Sequence, residues 1–303
     1  MAAISYDTEE VLTEFSEKNG ITFPLLSDDD SKVITDYGIL NTVANEAFEL
    51  IGARRKEGDT DGLDPVIAED IEKYVTVTQG IDFHIGTAYP GTFILDRQGR
   101  VQSRYFEEFY RERTTIANIM LQRGTGLNPI AAVEGSTAHL KFTAYPSDPY
   151  VRLGSRISLA IEIDPEPNMH LYAPGAESGG YRTISFNLRP TPHVQIEPMV
   201  YPKSEVYHFE PLDELVPVYQ NEFTLLQEIL ISASAEANEA LSQLDALTLT
   251  GSLDYQACSD TFCYNPVSLP ISFTLDLREL DRSGPMESSP LRARRASAAG
   301  NLN

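Results

Sequence analysis

The chain has 303 residues, which is enough for two domains of ordinary size. It carries 45 acidic and 23 basic residues, and the resulting net charge of −22 disfavours binding to nucleic acid. No apolar run approaches the roughly 18 residues that a membrane-spanning helix needs, so we expect no membrane span. The only two cysteines and five scattered histidines form a weak metal-ligand set, and we expect no metal and no cofactor.

Residues 1–122 alternate between helix and strand patterns. Asp7 and Glu10 form a capping-box pattern that predicts a helix start, and Asn19-Gly20 predicts its end. A short helix around Val33 and Ile34 follows. Residues 92–95 and 100–105 are predicted strands joined by a turn, and residues 113–121 are predicted to form a closing helix. Residues 41–80 are less regular, with predicted helices near 44–51 and after Asp64-Pro65, and we interpret this stretch as an insertion.

From about residue 137 the pattern changes to short strands, predicted at 138–144, 157–163, 183–188, 225–232, 247–255 and 269–277. Ile157, Leu159 and Ile161 alternate with period two and should share one face. Short strands with proline-rich connections predict a β-sandwich. We therefore expect an α/β domain over 1–122, a linker over 123–136, a sandwich over 137–281 and a disordered tail over 282–303.

The two cysteines lie five positions apart, with strand character before Cys258 and after Pro266. Four intervening residues can form a hairpin turn, and directly opposed strand positions have Cα atoms about 4.5 Å apart, which suits a disulfide. A bridge across so short a loop contributes only about 2 kcal/mol by chain entropy. The spacing allows a redox-active pair, a structural disulfide or another role. A short bridge on an exposed hairpin favours reversible exchange, because an attacking thiolate needs access.

The segment YQACSDTFCYNPVSLPI, residues 255–271, resembles the cysteine hairpin of the N-terminal domain of DsbD, the thiol:disulfide interchange protein. Residues 168–175 (NMHLYAPG) and 216–219 (VPVY) are similar to other parts of that domain. The resemblance implies an immunoglobulin-like sandwich. It also implies a domain that accepts electrons from one thioredoxin-like partner and passes them to another through mixed disulfides.

The same resemblance implies the site residues. Cys258 and Cys263 would be the exchange pair, with Cys263 as the cysteine that joins the partner. Tyr172 and Tyr264 would line the site, and residues 209–215 lie where a shielding cap would be. Asp213 and Glu214 in that segment could raise the pKa of a thiol. The alternative is that this acidic segment is a solvated loop.

Four segments of the first domain together resemble the redoxin group, the AhpC/TSA (peroxiredoxin-like) branch of thioredoxin folds. They are residues 4–7, 15–28, 37–39 and 89–101. The resemblance makes Pro90 a candidate cis-proline, with a trans proline at a strand entrance as the alternative. The family's reactive cysteine lies on its first helix, but no cysteine precedes Cys258 here, so peroxidatic chemistry is not expected in this domain. We expect a thioredoxin-like domain that lacks its first strands and cysteine helix. A truncated start would also account for the missing signal peptide, and the alternative is a domain that has become a docking or structural module.

Taken together, these observations predict a thiol–disulfide exchange protein. It would pass electrons through Cys258 and Cys263 to or from a thioredoxin-like partner, in the periplasm or outside the cell. The alternative is a non-enzymatic binding or scaffold protein with a structural disulfide and a degenerate redoxin domain. Peroxidase activity is a third hypothesis, and it would require Cys258 or Cys263 to do the chemistry.

Overall fold

A computed structural model describes residues 1–42, 88–107, 112–124, 127–209 and 213–278. The chain divides into two compact units, Met1–Tyr110 and Arg111–Glu279. The predicted insertion beyond residue 42 and the predicted tail over 282–303 lie outside the described residues. The two units are described separately below.

In the first unit, strand β1 (Ala3–Ser5) is followed by helix α1 (Glu9–Asn19) and strand β2 (Leu25–Ser27), which pairs in parallel with β1. The predicted cap residue is wrong by one position, because Thr8 is the N-cap of α1. The Asp7 carboxylate accepts a hydrogen bond from the Ser5 hydroxyl at 2.6 Å, outside the helix. Gly20 ends the helix in the left-handed conformation (φ 60°), as the sequence predicts.

Helix α2 (Lys32–Asp36) and the hairpin of β3 (Gly91–Leu95) and β4 (Val101–Phe106) complete the described part of this unit. The buried Asp28 carboxylate accepts the backbone N–H groups of Val33 and Ile34 at 2.9 and 2.8 Å, and so satisfies free donors at the start of α2. The strands form two separate pairs, β1 with β2 and β3 with β4. This is α/β structure, and it supports the predicted thioredoxin-like domain only in part.

Pro90 lies just before β3. The described residues contain no cis peptide bond, so the predicted cis-proline is wrong and the trans alternative holds. Trans is the more stable isomer before proline by about 0.5–1 kcal/mol. The flanking backbone is well paired in this form, since Tyr89 donates to the Ile39 carbonyl at 2.8 Å and the Pro90 carbonyl accepts from Glu107 at 3.2 Å.

The second unit consists mainly of strands, and all six predicted strands are present as β7, β9, β11, β15, β16 and β18. Its elements are β5 (Arg113–Thr114), α3 (Ile116–Gln122), β6 (Val133–Ser136), β7 (Leu140–Pro146), β8 (Tyr150–Val151), β9 (Ser155–Pro165), β10 (His170–Tyr172), β11 (Ser185–Leu188), β12 (Val194–Ile196), β13 (Glu205–Phe209), β14 (Glu214–Tyr219), β15 (Phe223–Ile231), α4 (Ala235–Leu241), β16 (Ala246–Tyr255), β17 (Ala257–Cys258) and β18 (Val267–Leu277). A 3-10 turn spans Ala176–Gly179.

These strands form three sheets. The largest has the order β12-β15-β9-β7-β6, with β5 also pairing with β9, and a second has the order β11-β16-β18-β8. Their facing side chains form one large core that includes Ile157, Leu225, Leu249 and Phe273, as a β-sandwich requires. The third sheet has the order β13-β14-β10-β17 and carries the cysteine hairpin at one end.

The predicted closing helix of the first domain instead packs on the second unit. Its buried Asn118 donates to the Arg156 carbonyl at 3.3 Å and to the Glu228 carboxylate at 3.1 Å, and Leu121 packs on Tyr145. Strand β6, which lies inside the predicted linker, pairs with β7. The second unit therefore begins near residue 111 rather than after a linker ending at 136.

Candidate functional site

The cysteine hairpin continues the third sheet beyond β17. Ser259 N–H donates to the Phe262 carbonyl at 2.8 Å, and Tyr264 N–H donates to the Ala257 carbonyl at 2.9 Å. These two hydrogen bonds enclose a directly opposed pair, Cys258 and Cys263, whose Cα atoms are 4.1 Å apart and whose sulfurs form a disulfide. The Ser259 hydroxyl also accepts the Phe262 N–H at 3.1 Å, which helps to close the turn.

Strand alternation places Cys258 away from the large core. Strands β10 and β17 are antiparallel, with His170 opposite Cys258 and Leu171 opposite Ala257. Leu171 and Ala257 belong to the large core. On the other face lies a smaller apolar group that we call the site cluster, formed by Tyr172, Ala176, Val216, Val218 and Cys258, with Tyr181 and Tyr207 packed against it.

Tyr172 contacts both cysteine sulfurs. Its hydroxyl lies 3.0 Å from Cys258 Sγ and 3.4 Å from Cys263 Sγ. A disulfide sulfur carries no hydrogen, so the tyrosine must be the donor. Burial raises the pKa of Tyr172 to about 12, and the neighbouring Tyr181, Tyr207 and Glu214 act in the same direction. The hydroxyl therefore keeps its proton near neutral pH and remains available as a donor.

Tyr181 fixes Tyr172 from the solvent side. The two rings stack with centroids 4.3 Å apart and planes 23° apart. The Tyr181 hydroxyl donates to a Glu214 carboxylate oxygen at 2.7 Å, and this hydrogen bond is the main cause of the raised pKa of Tyr181. Glu214, one of the predicted site residues, thus reaches the site through the Tyr181 ring.

His170 lies beside the disulfide and is 3% exposed. Its ring centroid is 4.5 Å from that of Tyr207 and 5.6 Å from that of Tyr172. The Tyr207 hydroxyl donates to Asp260 at 3.0 Å, which links β13 to the cysteine turn. Burial lowers the pKa of His170, and the opposing effect of Asp260 is smaller. The imidazole is therefore neutral at pH 7.

The two cysteines differ in exposure. Cys258 is 1% exposed and belongs to the site cluster, whereas Cys263 is exposed. Phe262, next to Cys263, is 60% exposed. Of the pair, Cys263 is thus the residue exposed to solvent, while Cys258 is covered by its neighbours.

Two other predicted site residues lie elsewhere. The Tyr264 ring packs on His139 and Phe262, with centroids 4.5 and 5.0 Å away, and strand alternation puts it on the opposite face from Cys263. The Asp213 side chain is 93% exposed and pairs with His208 at 2.8 Å. Their roles at the site stay predictions. Of the predicted cap over 209–215, Phe209 ends β13 and residues 214–215 begin β14, while residues 210–212 lie outside the described residues.

Three aromatic residues of the site were not predicted from the sequence: His170, Tyr181 and Tyr207. His170 stands two positions before Tyr172 in β10, so the two side chains share a face, but this strand was not predicted from the sequence. Tyr181 and Tyr207 come from separate segments, and only the folded chain brings them to Tyr172.

The fold and site define a β-sandwich with a disulfide at the edge of a sheet, in a chain that also has an α/β region. Residues 1–104 match the model of the AhpC/TSA family. Residues 144–274 match the model of the N-terminal domain of the thiol:disulfide interchange protein DsbD. The predicted combination of a redoxin-like region and a DsbD-like region is therefore confirmed. No curated protein matches the chain.

Solved structures of low similarity include three bacterial and yeast domains. The reduced DsbD N-terminal domain of Neisseria meningitidis is 15% identical, with a TM-score of 0.27, and the match covers 39% of this chain and 78% of that one. The N-terminal periplasmic domain of ScsB from Proteus mirabilis is 15% identical, with a TM-score of 0.32, and the match covers 55% of this chain and 57% of that one. The yeast GGA1 GAE domain is 6% identical, with a TM-score of 0.27, and the match covers 46% of this chain and 96% of that one. The chain thus spans little more than half of the ScsB domain.

The two matching regions and the Cys258–Cys263 disulfide fit thiol–disulfide exchange in general. Within the described ranges, no group of histidine, cysteine, aspartate and glutamate side chains could hold a metal ion. None of the helices seen in those ranges has the length and apolar character needed to cross a bilayer.

Proposed function

We propose that this protein exchanges disulfides with a thioredoxin-like partner through Cys258 and Cys263. The observation that carries the proposal is the unequal environment of the two sulfurs. Cys263 is open to attack, and Cys258 is buried against a tyrosine hydroxyl that can stabilise it as a leaving thiolate. A disulfide with one accessible sulfur and one supported leaving group is suited to directional opening.

The proposed exchange has two steps. A partner thiolate attacks Cys263 Sγ, a bond forms between these sulfurs, and the Cys258–Cys263 bond breaks with its electron pair on Cys258 Sγ. Tyr172 donates its hydrogen bond to the new thiolate. The partner's second thiolate then attacks the sulfur of the partner's first cysteine in the mixed disulfide. The partner's disulfide forms, and Cys263 leaves as a thiolate. The partner dithiol is oxidised by two electrons, and its two protons pass to Cys258 and Cys263. The reverse sequence carries electrons the other way.

We infer an extracytoplasmic location, in the periplasm or outside the cell. Disulfides form and persist mainly in oxidising compartments. The DsbD-like match over 144–274 is consistent with such a compartment and with a thioredoxin-like partner. The redoxin-like region has no cysteine, so the proposed chemistry passes through Cys258 and Cys263 alone.

Trapping of a mixed disulfide tests the proposal. The Cys258→Ser variant leaves Cys263 unpaired, and we expect it to form a stable mixed disulfide with a thioredoxin-like protein whose second active-site cysteine is replaced by serine and whose first is activated with 5,5′-dithiobis(2-nitrobenzoic acid). The Cys263→Ser variant is the matched control, because it leaves only the buried Cys258, and its yield should be at least about tenfold lower. If neither variant forms a mixed disulfide, the exchange mechanism is wrong. The alternative, a binding or scaffold protein with a structural disulfide, would then be favoured.

The reduction potential provides a second, independent test. An exchange pair should equilibrate with thioredoxin-like proteins, whose potentials lie between about −120 and −270 mV. A structural disulfide typically has a reduction potential below about −300 mV and therefore resists reduction by such proteins. The measurement is a redox titration of the full chain against glutathione and then dithiothreitol, with alkylation of free thiols at each point. A midpoint potential below about −300 mV would contradict the exchange function.

A further inference from the structure

Cys263 lies on the outer side of the third sheet. The Phe262 carbonyl and the Tyr264 N–H both point towards β17, where they bond to Ser259 and Ala257. In an antiparallel pair the residue between two such positions directs its own N–H and C=O away from the neighbouring strand. The backbone of Cys263 therefore points to the open edge. Among the described residues, none forms a hydrogen bond with it. An extended segment of another protein can pair at such an edge.

An exposed aromatic ring stands beside the reactive cysteine at this edge. Phe262 is 60% exposed, and one side of its ring is braced by Tyr264. Exposed aromatic side chains held by a neighbour are frequent energetic centres of protein interfaces. Phe262 is therefore suited to contact whatever protein brings a thiolate to Cys263.

Two carboxylates lie close to the disulfide, and one arginine, Arg182, stands beside Tyr181, where its backbone N–H contacts Gln256 at 3.4 Å. Asp260, in the cysteine turn, is exposed and accepts the Tyr207 hydroxyl. Glu214 accepts the Tyr181 hydroxyl, whose ring covers Tyr172. The charged groups that act on His170, Tyr172 and Tyr181 are these two carboxylates. The whole chain has a net charge of −22, so the field beyond the site has the same sign.

We propose that this surface, formed by Phe262, the outward backbone of Cys263 and the carboxylates of Asp260 and Glu214, selects a thioredoxin-like partner whose cysteine is bordered by basic side chains. We call it the docking edge. The inference rests on the proposed exchange function and adds the charge of the partner. Basic partners are attracted and oriented by the docking edge, and acidic ones are repelled.

Two synthetic peptides test the charge preference on the full chain. Each has one central cysteine in a serine- and threonine-rich sequence, flanked by two lysines in one peptide and two glutamates in the other. We expect the lysine peptide to open the disulfide about tenfold faster per thiolate at low salt. About 0.5 M salt should bring the two rates close together. Equal rates at low salt would overturn the charge preference.

Variants locate the effect. Asp260→Asn should narrow the rate ratio by about twofold to threefold, and Glu214→Gln should act in the same direction. Asp276→Asn is the matched control, because Asp276 is exposed at the far end of β18, about 30 Å of strand from the hairpin, and it should leave the ratio unchanged. A ratio that neither Asp260→Asn nor Glu214→Gln alters would show that the docking edge is not the source of selectivity.

Phe262→Ala tests the apolar part of the docking edge. It should slow both peptides by about fivefold or more, and 2-mercaptoethanol by less than about twofold. Equal slowing of peptide and small thiol would show that Phe262 supports the hairpin and does not contact the partner. The small thiol also separates the two proposals. If 2-mercaptoethanol opens the disulfide while charge has no effect, the exchange function stands and the docking edge fails. If no thiol opens it, the exchange function itself fails.

Discussion

Two of the apolar regions in the described part of the second unit, the large core and the site cluster, share the strands β10 and β17. Strand β10 contributes Leu171 to the core and Tyr172 to the site cluster, and β17 contributes Ala257 and Cys258 in the same way. The core lies between two sheets, whereas the site cluster combines small apolar residues with tyrosines and opens at the docking edge. The comparison suggests that stability and disulfide chemistry can be altered independently, because they occupy opposite faces of one sheet.

The largest expected effect separates stability from chemistry. Leu249 lies fully buried in the large core. Leu249→Ala should lower the free energy of unfolding by about 2–5 kcal/mol through lost burial and a cavity. Denaturant unfolding measures this. The rate of disulfide opening by 2-mercaptoethanol should change by less than about twofold. A rate that falls together with stability would argue against the separation of the two regions.

Tyr172→Phe should produce the converse result. It keeps the ring and removes the hydroxyl that donates to both sulfurs. A hydrogen bond to a thiolate contributes about 2 kcal/mol, so exchange should slow about thirtyfold and the reduction potential should fall by about 40 mV. The measurements are stopped-flow reduction and redox titration. Tyr255→Phe is the matched control, since Tyr255 is in the large core and its hydroxyl bonds to Thr137 at 2.9 Å. It should leave both values unchanged.

His170 should make stability depend on pH. Burial lowers the pKa of His170 in the folded protein below its ordinary value, which is about 6.5 in the unfolded chain. As pH falls through 6.5, the unfolded chain takes up the proton first, so the folded state loses stability until its own lower pKa is passed. Above pH 6.5 this contribution is absent.

The His170→Gln variant isolates that contribution. Between pH 7 and pH 5 the wild-type protein should lose more unfolding free energy than the variant, by at most about 1.4 kcal/mol per pH unit. Paired denaturant unfolding curves at the two pH values give the difference, and the other titrating groups cancel. A variant that loses as much stability as the wild type would show that His170 titrates normally.

The smallest expected effect concerns Tyr181. Tyr181→Phe keeps the ring stacked on Tyr172 and removes the hydrogen bond to Glu214. A looser Tyr172 should slow opening by 2-mercaptoethanol about threefold, in line with an exposed hydrogen bond. Glu214→Gln retains an acceptor for the hydroxyl and should stay close to wild type with this neutral thiol. If Tyr181→Phe opens as fast as the wild type, the hydrogen bond to Glu214 does not hold Tyr172 in place. If Glu214→Gln slows opening as much as Tyr181→Phe does, the effect depends on the charge of the acceptor.

The sequence predicted the long strands well because each has one buried face. Strands β16 and β18 show this most clearly, because Leu249 and Phe273 face the large core and their sequence neighbours are exposed. In β9 the alternation of Ile157, Leu159 and Ile161 also predicted a strand, although Ala160 on its other face is buried as well. The short strand β10 was missed because all three of its residues are buried, so it has no alternation. Helix α3 was predicted as a helix, but its assignment to the first domain was wrong. A local pattern shows that a helix has an apolar side without showing which sheet covers it.

The same limit applies to the candidate site: features set by local sequence could be predicted, and contacts between distant segments could not. The cysteine pair could be placed because a strand, a turn and a second strand determine which positions are opposed. Tyr172 followed from the resemblance of residues 168–175 to another part of the DsbD N-terminal domain. The stacked Tyr181 and the Tyr207–Asp260 hydrogen bond could not be predicted, because they join segments far apart in the chain. The difference in exposure between Cys258 and Cys263 also arises only once β13 and β14 pack beside β10.

The small sequence separation of the two cysteines has a consequence for the fold of the reduced protein. The bond joins two residues of a hairpin that backbone hydrogen bonds already hold closed on both sides. Breaking it releases only a few residues of chain, and neither cysteine is part of the large core. The oxidised and reduced forms are therefore expected to share one fold. Under the proposed function, repeated rounds of exchange would therefore need no refolding step.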